Sequence, residues 1–284
     1  MAMSFLIAAA QWRKDGPAGV GSTHHSNQWN NRNYPLSVRV VSVHDEDRMN
    51  VSRYQLSWGL LLPALIVPTV GALFYFMLFP DGAVGKSAYT LTKIFILCYP
   101  LLLLWRAGPR GIIGRERGIQ WPEWRSVWWV GFLSGVSIAT IGFILMWTPV
   151  GGMIWEAAPR VAERAEGLGF KDHFLLFAIF VSVIHSGLEE FYWRWFVYGQ
   201  LRGKTSRWRA HLLGAGAFGG HHLVVTLQFF PVLLALALTA CVIVGGVIWS
   251  MMYERQGTLA GCWLSHLFVD IMLMVIGYQL LTMG

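Results

Sequence analysis

Residues 187–198 read Gly-Leu-Glu-Glu-Phe-Tyr-Trp-Arg-Trp-Phe-Val-Tyr, two adjacent acids and an arginine inside an aromatic, otherwise apolar run. The run from Phe174 to Tyr198 has the roughly 20 residues that a helix needs to cross about 30 Å of hydrocarbon. A charged side chain at such a depth costs about 2.5–3.5 kcal/mol on insertion scales and by default marks function. Glu189, Glu190 and Arg194 are three such residues within six positions. Residues four apart share a helix face, so Glu190 and Arg194 can pair, which lowers the cost of keeping both charges. Glu189 is turned about 100° away, and its neighbour on that face is His185. The spacing thus predicts a structural pair, Glu190–Arg194, and a free carboxylate, Glu189, suited to act as a general base or proton shuttle.

The composition agrees with a membrane setting. Only 13% of the 284 residues are charged and 55% are hydrophobic, with 15 Trp and 17 Phe, against about 25% charged in soluble domains. The net charge of +7 fits cytoplasmic loops that collect Lys and Arg. No basic stripe alternates with a soluble fold, so nucleic acid is not an expected partner. Cys98, Cys241 and Cys262 lie in apolar stretches without metal-type spacing and read as small buried hydrophobes.

Seven apolar runs predict an all-α polytopic membrane protein with its active site inside the bundle: 58–79, 88–105, 127–147, 174–198, 210–230, 231–253 and 259–281. Pro63 and Pro68 interrupt the first, and Lys93 in the second must snorkel or face protein. The linker 106–125 carries five Arg against two Glu, and 201–210 carries Arg202, Lys204, Arg207 and Arg209 with no acid. Seven spans with the N-terminus inside put both basic linkers in the cytoplasm, which points to the cytoplasmic (inner) membrane. Residues 1–48 lack periodicity and are expected to be a disordered or mis-annotated tail; 49–123 hold two spans and a basic linker, and 124–284 the functional core. The GKS at 85–87 lacks the glycine and the strand of a phosphate-binding loop, and Asn50-Val51-Ser52 lies on the cytoplasmic side, so neither pattern carries meaning.

Two further spans carry polar groups. Residues 214–225 read GAGAFGGHHLVV; Gly214, Gly216, Gly219 and Gly220 are expected to admit a neighbouring helix. His221 and His222 face different directions, so at most one is expected at the Glu189 site. In the last span His266 and Asp270 are four apart, and an Asp within a membrane needs a partner such as His266. With a rise of 1.5 Å per residue, Glu189, His222 and His266 fall at loosely similar depths.

Glu189-Glu190-Phe191-Tyr192-Trp193-Arg194 fits EExxxR, Phe218 to His222 fits FxxxH, and His266 to Asp270 fits HxxxN/D. Three such motifs in this order resemble those of the CPBP family, the CaaX proteases and bacteriocin-processing (Abi-like) intramembrane proteins. The resemblance covers about 124–281. It implies an endopeptidase acting on a membrane-associated peptide or protein. Glu189 would activate water with His222, His266 and Asp270 would stabilise the oxyanion, and Glu190–Arg194 would shape the site. Asp270 stands where the family often has Asn, so it must carry a proton or act by orienting His266. No HExxH is present and no metal is favoured; a zinc ion would be held by Glu189, His222 and His266. Two other readings fit the polar residues: a proton-coupled transporter, which usually shows repeated halves that are not seen here, and a catalytically inactive scaffold of the same fold.

Overall fold

The computed structural model describes residues 39–41, 53–80, 82–107, 121–167 and 171–283. The expectations for most of the N-terminal tail, for Asn50 and for most of the basic linker at 106–125 fall outside them. Within the segment for which no fold is expected, Arg39–Val41 forms a short strand, β1. It pairs antiparallel with β2, Arg53–Gln55, placing Val40 opposite Tyr54.

The remaining regular structure is helical. It comprises α1 (Trp58–Leu73, continued in wide π-type turns over Phe74–Leu78), α2 (Ala83–Ala107), α3 (Trp121–Leu145) and the short α4 (Pro149–Trp155) and α5 (Ala158–Gly167). There follow α6 (Lys171–Lys204), α7 (Arg207–Phe229), α8 (Val232–Gln256) and α9 (Ala260–Met283). Among the described residues, five of these helices, α1, α3, α6, α8 and α9, are long and apolar enough to cross a membrane. The other two expected spans fall on α2 and α7, which have 25 and 23 residues. They have the length but carry Lys86 and Lys93, or Arg207, Arg209 and His211.

The distribution of polarity is inverted relative to a soluble bundle. Leu175 and Leu233 are 73% and 79% exposed, whereas Glu190 and Arg194 are 0% and 2% exposed. Apolar surface outside and paired charge inside is what hydrocarbon solvent selects. The chain is an all-α polytopic membrane protein. Lys93, the charge expected to need shelter, lies with its Nζ 5.1 Å from the centre of the Tyr89 ring.

Without a hydrophobic drive between helices in lipid, close backbone approach carries the packing. A Cβ on Gly131 of α3 would lie 2.6 Å from the Gly261 carbonyl of α9, and one on Gly135 would lie 2.9 Å from Ser265 Cα. Here α3 and α9 touch backbone to backbone. In α7, Gly219 meets Ile243 of α8 and Gly220 meets Thr69 of α1, but Gly214 makes only an ordinary contact and Gly216 meets nothing. Two of the four glycines expected to admit a neighbour therefore do not, because they face other directions around the helix. Gly257 ends α8 at φ 67°, the left-handed conformation that favours glycine, and its N–H bonds the Tyr253 carbonyl at 2.9 Å.

Proline fixes a link between α1 and α6. Pro68 has no N–H, so the carbonyl four residues earlier, Ala64, loses its helical donor. The buried Tyr192 hydroxyl of α6 donates to that carbonyl at 2.8 Å. The basic linker between α6 and α7 is also tied down: Arg202 and Arg207 each meet Glu254 of α8 at 2.7 Å. Tyr192→Phe is expected to leave the Ala64 carbonyl unpaired and to cost about 1–3 kcal/mol in detergent unfolding. In a Pro68→Ala background, which restores the missing N–H, the same substitution is expected to cost little; an equal cost in both backgrounds would contradict the link.

Candidate active site

The site is built on α6, whose turns widen to π geometry over Phe180–His185 and Phe191–Tyr198, on either side of Ser186–Glu190. Such widened turns recur at functional sites because they re-aim side chains. Between them Glu189 and Glu190 diverge as the spacing predicts. Glu190 Oε1 lies 3.0 Å from Arg194 Nη1. Neither Nη of Arg194 makes an aligned hydrogen bond, so the pair is held by charge. The guanidinium is covered by aromatic faces instead, with its Cζ 4.5 Å from the Phe218 ring centre and 5.0 Å from that of Trp249.

Glu190 has a second partner that local spacing did not disclose. Its Oε1 is also 2.7 Å from His266 Nδ1 of α9. His266 also pairs with Asp270 on its own helix, as expected, with that carboxylate 3.6 Å from Nε2. The two contacts take different edges of the ring: α6 brings Glu190 against the Nδ1 edge, and Asp270 lies at the Nε2 edge. The His266 ring is stacked on Trp249, with centroids 4.1 Å apart and planes 18° apart. Trp249 Nε1 donates to Ser265 Oγ at 3.0 Å, and Ser134 of α3 donates to the same oxygen at 2.7 Å. Three helices thus fix one imidazole.

Glu189, 8% exposed, is surrounded by histidines. Its Oε1 is 3.3 Å from His185 Nε2 and 3.4 Å from His221 Nε2, and its Oε2 is 3.8 Å from His266 Nε2. The expectation that only one of His221 and His222 would reach this site fails. The potential ligand atoms of Glu189, His221 and His222 all lie within 4.8 Å of one another. The two residues are consecutive and about 100° apart on the helix, but their rings converge, with centroids 4.1 Å apart. His222 Nδ1 donates to the Phe218 carbonyl at 2.9 Å. Phe218, 1% exposed, places its ring edge against His221, His222 and His266.

The converging trio also differs from the zinc set implied by the motifs, since it contains His221 in place of His266. The donor types suit a divalent cation, two imidazoles and a carboxylate. Metal-bound imidazoles normally give their other nitrogen to an outer partner, and the buried Nδ1 of His221 has none. The trio is therefore an incomplete metal site. The adjacent histidines signal His221 in the sequence, but nothing local signals the Glu190–His266 contact.

Residues 171–272 match the family model of the Type II CAAX prenyl endopeptidases, Rce1-like. This stretch is thus similar to the CaaX proteases of the CPBP family. No curated protein and no solved structure matches the chain. The match begins at the start of α6 and ends at Met272, so it spans all three motifs and every side chain of the site described above except Ser134.

The Glu190–Arg194 pair makes a direct expectation about stability. Arg194→Ala strands a buried carboxylate and should cost about 3–5 kcal/mol in detergent unfolding. The double variant Glu190→Gln/Arg194→Met, which removes both charges, is expected to recover much of that loss. A cost below about 1 kcal/mol for Arg194→Ala would show that the pair is not buried as described.

Proposed function

We propose that the protein is an intramembrane endopeptidase that hydrolyses a peptide bond in a membrane-associated substrate, with Glu189 as the general base. The observation that carries this reading is the convergence of the Glu189 carboxylate with imidazoles from α6, α7 and α9 inside a bundle whose outer surface is apolar.

In this reading Glu189 takes a proton from water while the oxygen attacks the scissile carbonyl carbon. His222 supports the same water: its Nδ1–H is spent on the Phe218 carbonyl, so its lone pair is on Nε2. His266 serves as the oxyanion donor. Its Nδ1–H is held by Glu190, and carboxylate oxygens of Glu190, Asp270 and Glu189 at 2.7, 3.6 and 3.8 Å balance a positive charge on the ring. Nε2–H then faces the charge that develops on the carbonyl oxygen. Asp270 acts on His266 by orientation and charge. The proton taken by Glu189 passes to the leaving amine as the tetrahedral intermediate collapses. No step runs through a metal, because the donor set lacks the outer partner such a site needs. The chain would sit in the cytoplasmic membrane with its N-terminus inside and seven crossings, α2 and α7 included, as the basic linkers favour.

Purified protein is expected to cleave a farnesylated peptide ending in a CaaX sequence, presented in detergent micelles. Glu189→Gln should lower the rate by about 10²–10⁴-fold, and a zinc chelator should leave the wild-type rate unchanged. Full activity in Glu189→Gln removes the base assignment. Loss on chelation with recovery on added zinc overturns the metal-independent mechanism. No cleavage by wild type favours the inactive scaffold.

A further inference from the structure

His221 lies outside the EExxxR, FxxxH and HxxxN/D positions, yet its Nε2 is 3.4 Å from the Glu189 carboxylate, closer than His266 at 3.8 Å. Its ring lies parallel to Trp193, at 3° with centroids 5.6 Å apart, and its side chain is 15% exposed. One nitrogen, Nε2, is 3.4 Å from Glu189 Oε1, and the other, Nδ1, is buried with no hydrogen-bond partner. A neutral imidazole carries one N–H and one lone pair. Placing the proton on Nδ1 would bury an orphaned donor and turn a lone pair toward a carboxylate. Placing it on Nε2 satisfies the donor and leaves only an unpaired acceptor, which protein interiors tolerate better.

The neighbouring ring has the reverse assignment. His222 Nδ1 faces a backbone carbonyl, which can only accept, so the proton is on Nδ1 and Nε2 is bare. Consecutive histidines on one helix are therefore held in opposite tautomers by different surroundings. We propose that His221 is a positioning residue: through Nε2–H it holds Glu189 Oε1, leaving Oε2 toward His266 for water, while His222 keeps the lone pair that water needs. The assignment of roles rests on the hydrolytic reading above; the tautomers do not.

His185 Nε2 approaches the same oxygen at 3.3 Å, but with a side chain 27% exposed it is the less sheltered of the two. Oε1 is thus gripped from its own helix and from α7, and His221 adds the contact that fixes α6 to α7 at the level of the base. Its stack on Trp193 limits ring rotation, so the grip is rigid. A carboxylate displaced by about 1 Å can lose about 10²-fold in rate.

Two measurements test this. In wild-type protein labelled with ¹⁵N-histidine and treated with chelator, two-bond ¹H–¹⁵N spectra distinguish the tautomers, with His221→Gln and His222→Gln supplying the assignments. The expected result is an Nε2–H signal for His221 and an Nδ1–H signal for His222. An Nδ1–H signal for His221 overturns the proposal, as does a shift of its Nε2 on adding zinc at stoichiometric concentration, which would make it a ligand. In the peptide assay His221→Phe keeps a ring to stack on Trp193 but has no donor. It should lower kcat by about 10²-fold with KM unchanged, and His221→Gln, whose amide reaches the same place, should recover most of the rate. Equal loss in both variants, or a rise in KM alone, overturns the positioning role. An inactive wild-type enzyme would sink the hydrolytic reading while the spectra still decide the tautomers.

Discussion

A carboxylate with no access to solvent, Glu190, binds a cation on its own helix and an imidazole on another. In a low-dielectric interior neither charge is stable alone, and removing one partner strands the other. The placement of the remaining groups follows from that constraint. Arg194 must stay between Phe218 and Trp249, His266 must present its Nδ1 edge to α6, and α9 must sit where that contact is made. Glu189, one residue away, is consequently held at the level of α7 and α9 and not in lipid.

The aromatic residues of the motif helix have distinct tasks. Tyr192 occupies the carbonyl vacated by Pro68 and so joins α6 to α1, Trp193 backs His221, and Phe196 packs in the main buried cluster. Phe218 serves as wedge, guanidinium cover and, through its carbonyl, the group that sets the His222 tautomer. The backbone contacts at Gly131–Gly261 and Gly135–Ser265 let α3 reach Ser265 with Ser134, which in turn orients the indole stacked on His266. The side chains of the candidate site are thus oriented by packing from α3, α6, α7, α8 and α9.

Features set by local periodicity were legible in the sequence. The Glu190–Arg194 and His185–Glu189 pairs follow from a four-residue spacing, and the α-helical membrane class follows from run length and scarcity of charge. Pairings between helices were not. Periodicity tells which residues share a face but not which faces meet, so the His266–Asp270 pair is legible from its spacing while the Glu190–His266 contact across 76 positions is not. The 100° rule also failed for His221 and His222, because two long planar side chains can bend toward one point from neighbouring positions. The count of spans was legible only where apolarity is high; α2 and α7 mix charge and small residues with their hydrophobic faces.

The most direct test of the central claim is a double-mutant cycle between Glu190→Gln and His266→Gln, read as detergent unfolding free energies. A shared buried contact predicts a coupling within the 0.5–3 kcal/mol seen for residues in one network, at about 1 kcal/mol or more. Additive effects, with coupling below about 0.3 kcal/mol, would mean that α6 and α9 do not meet through these two side chains.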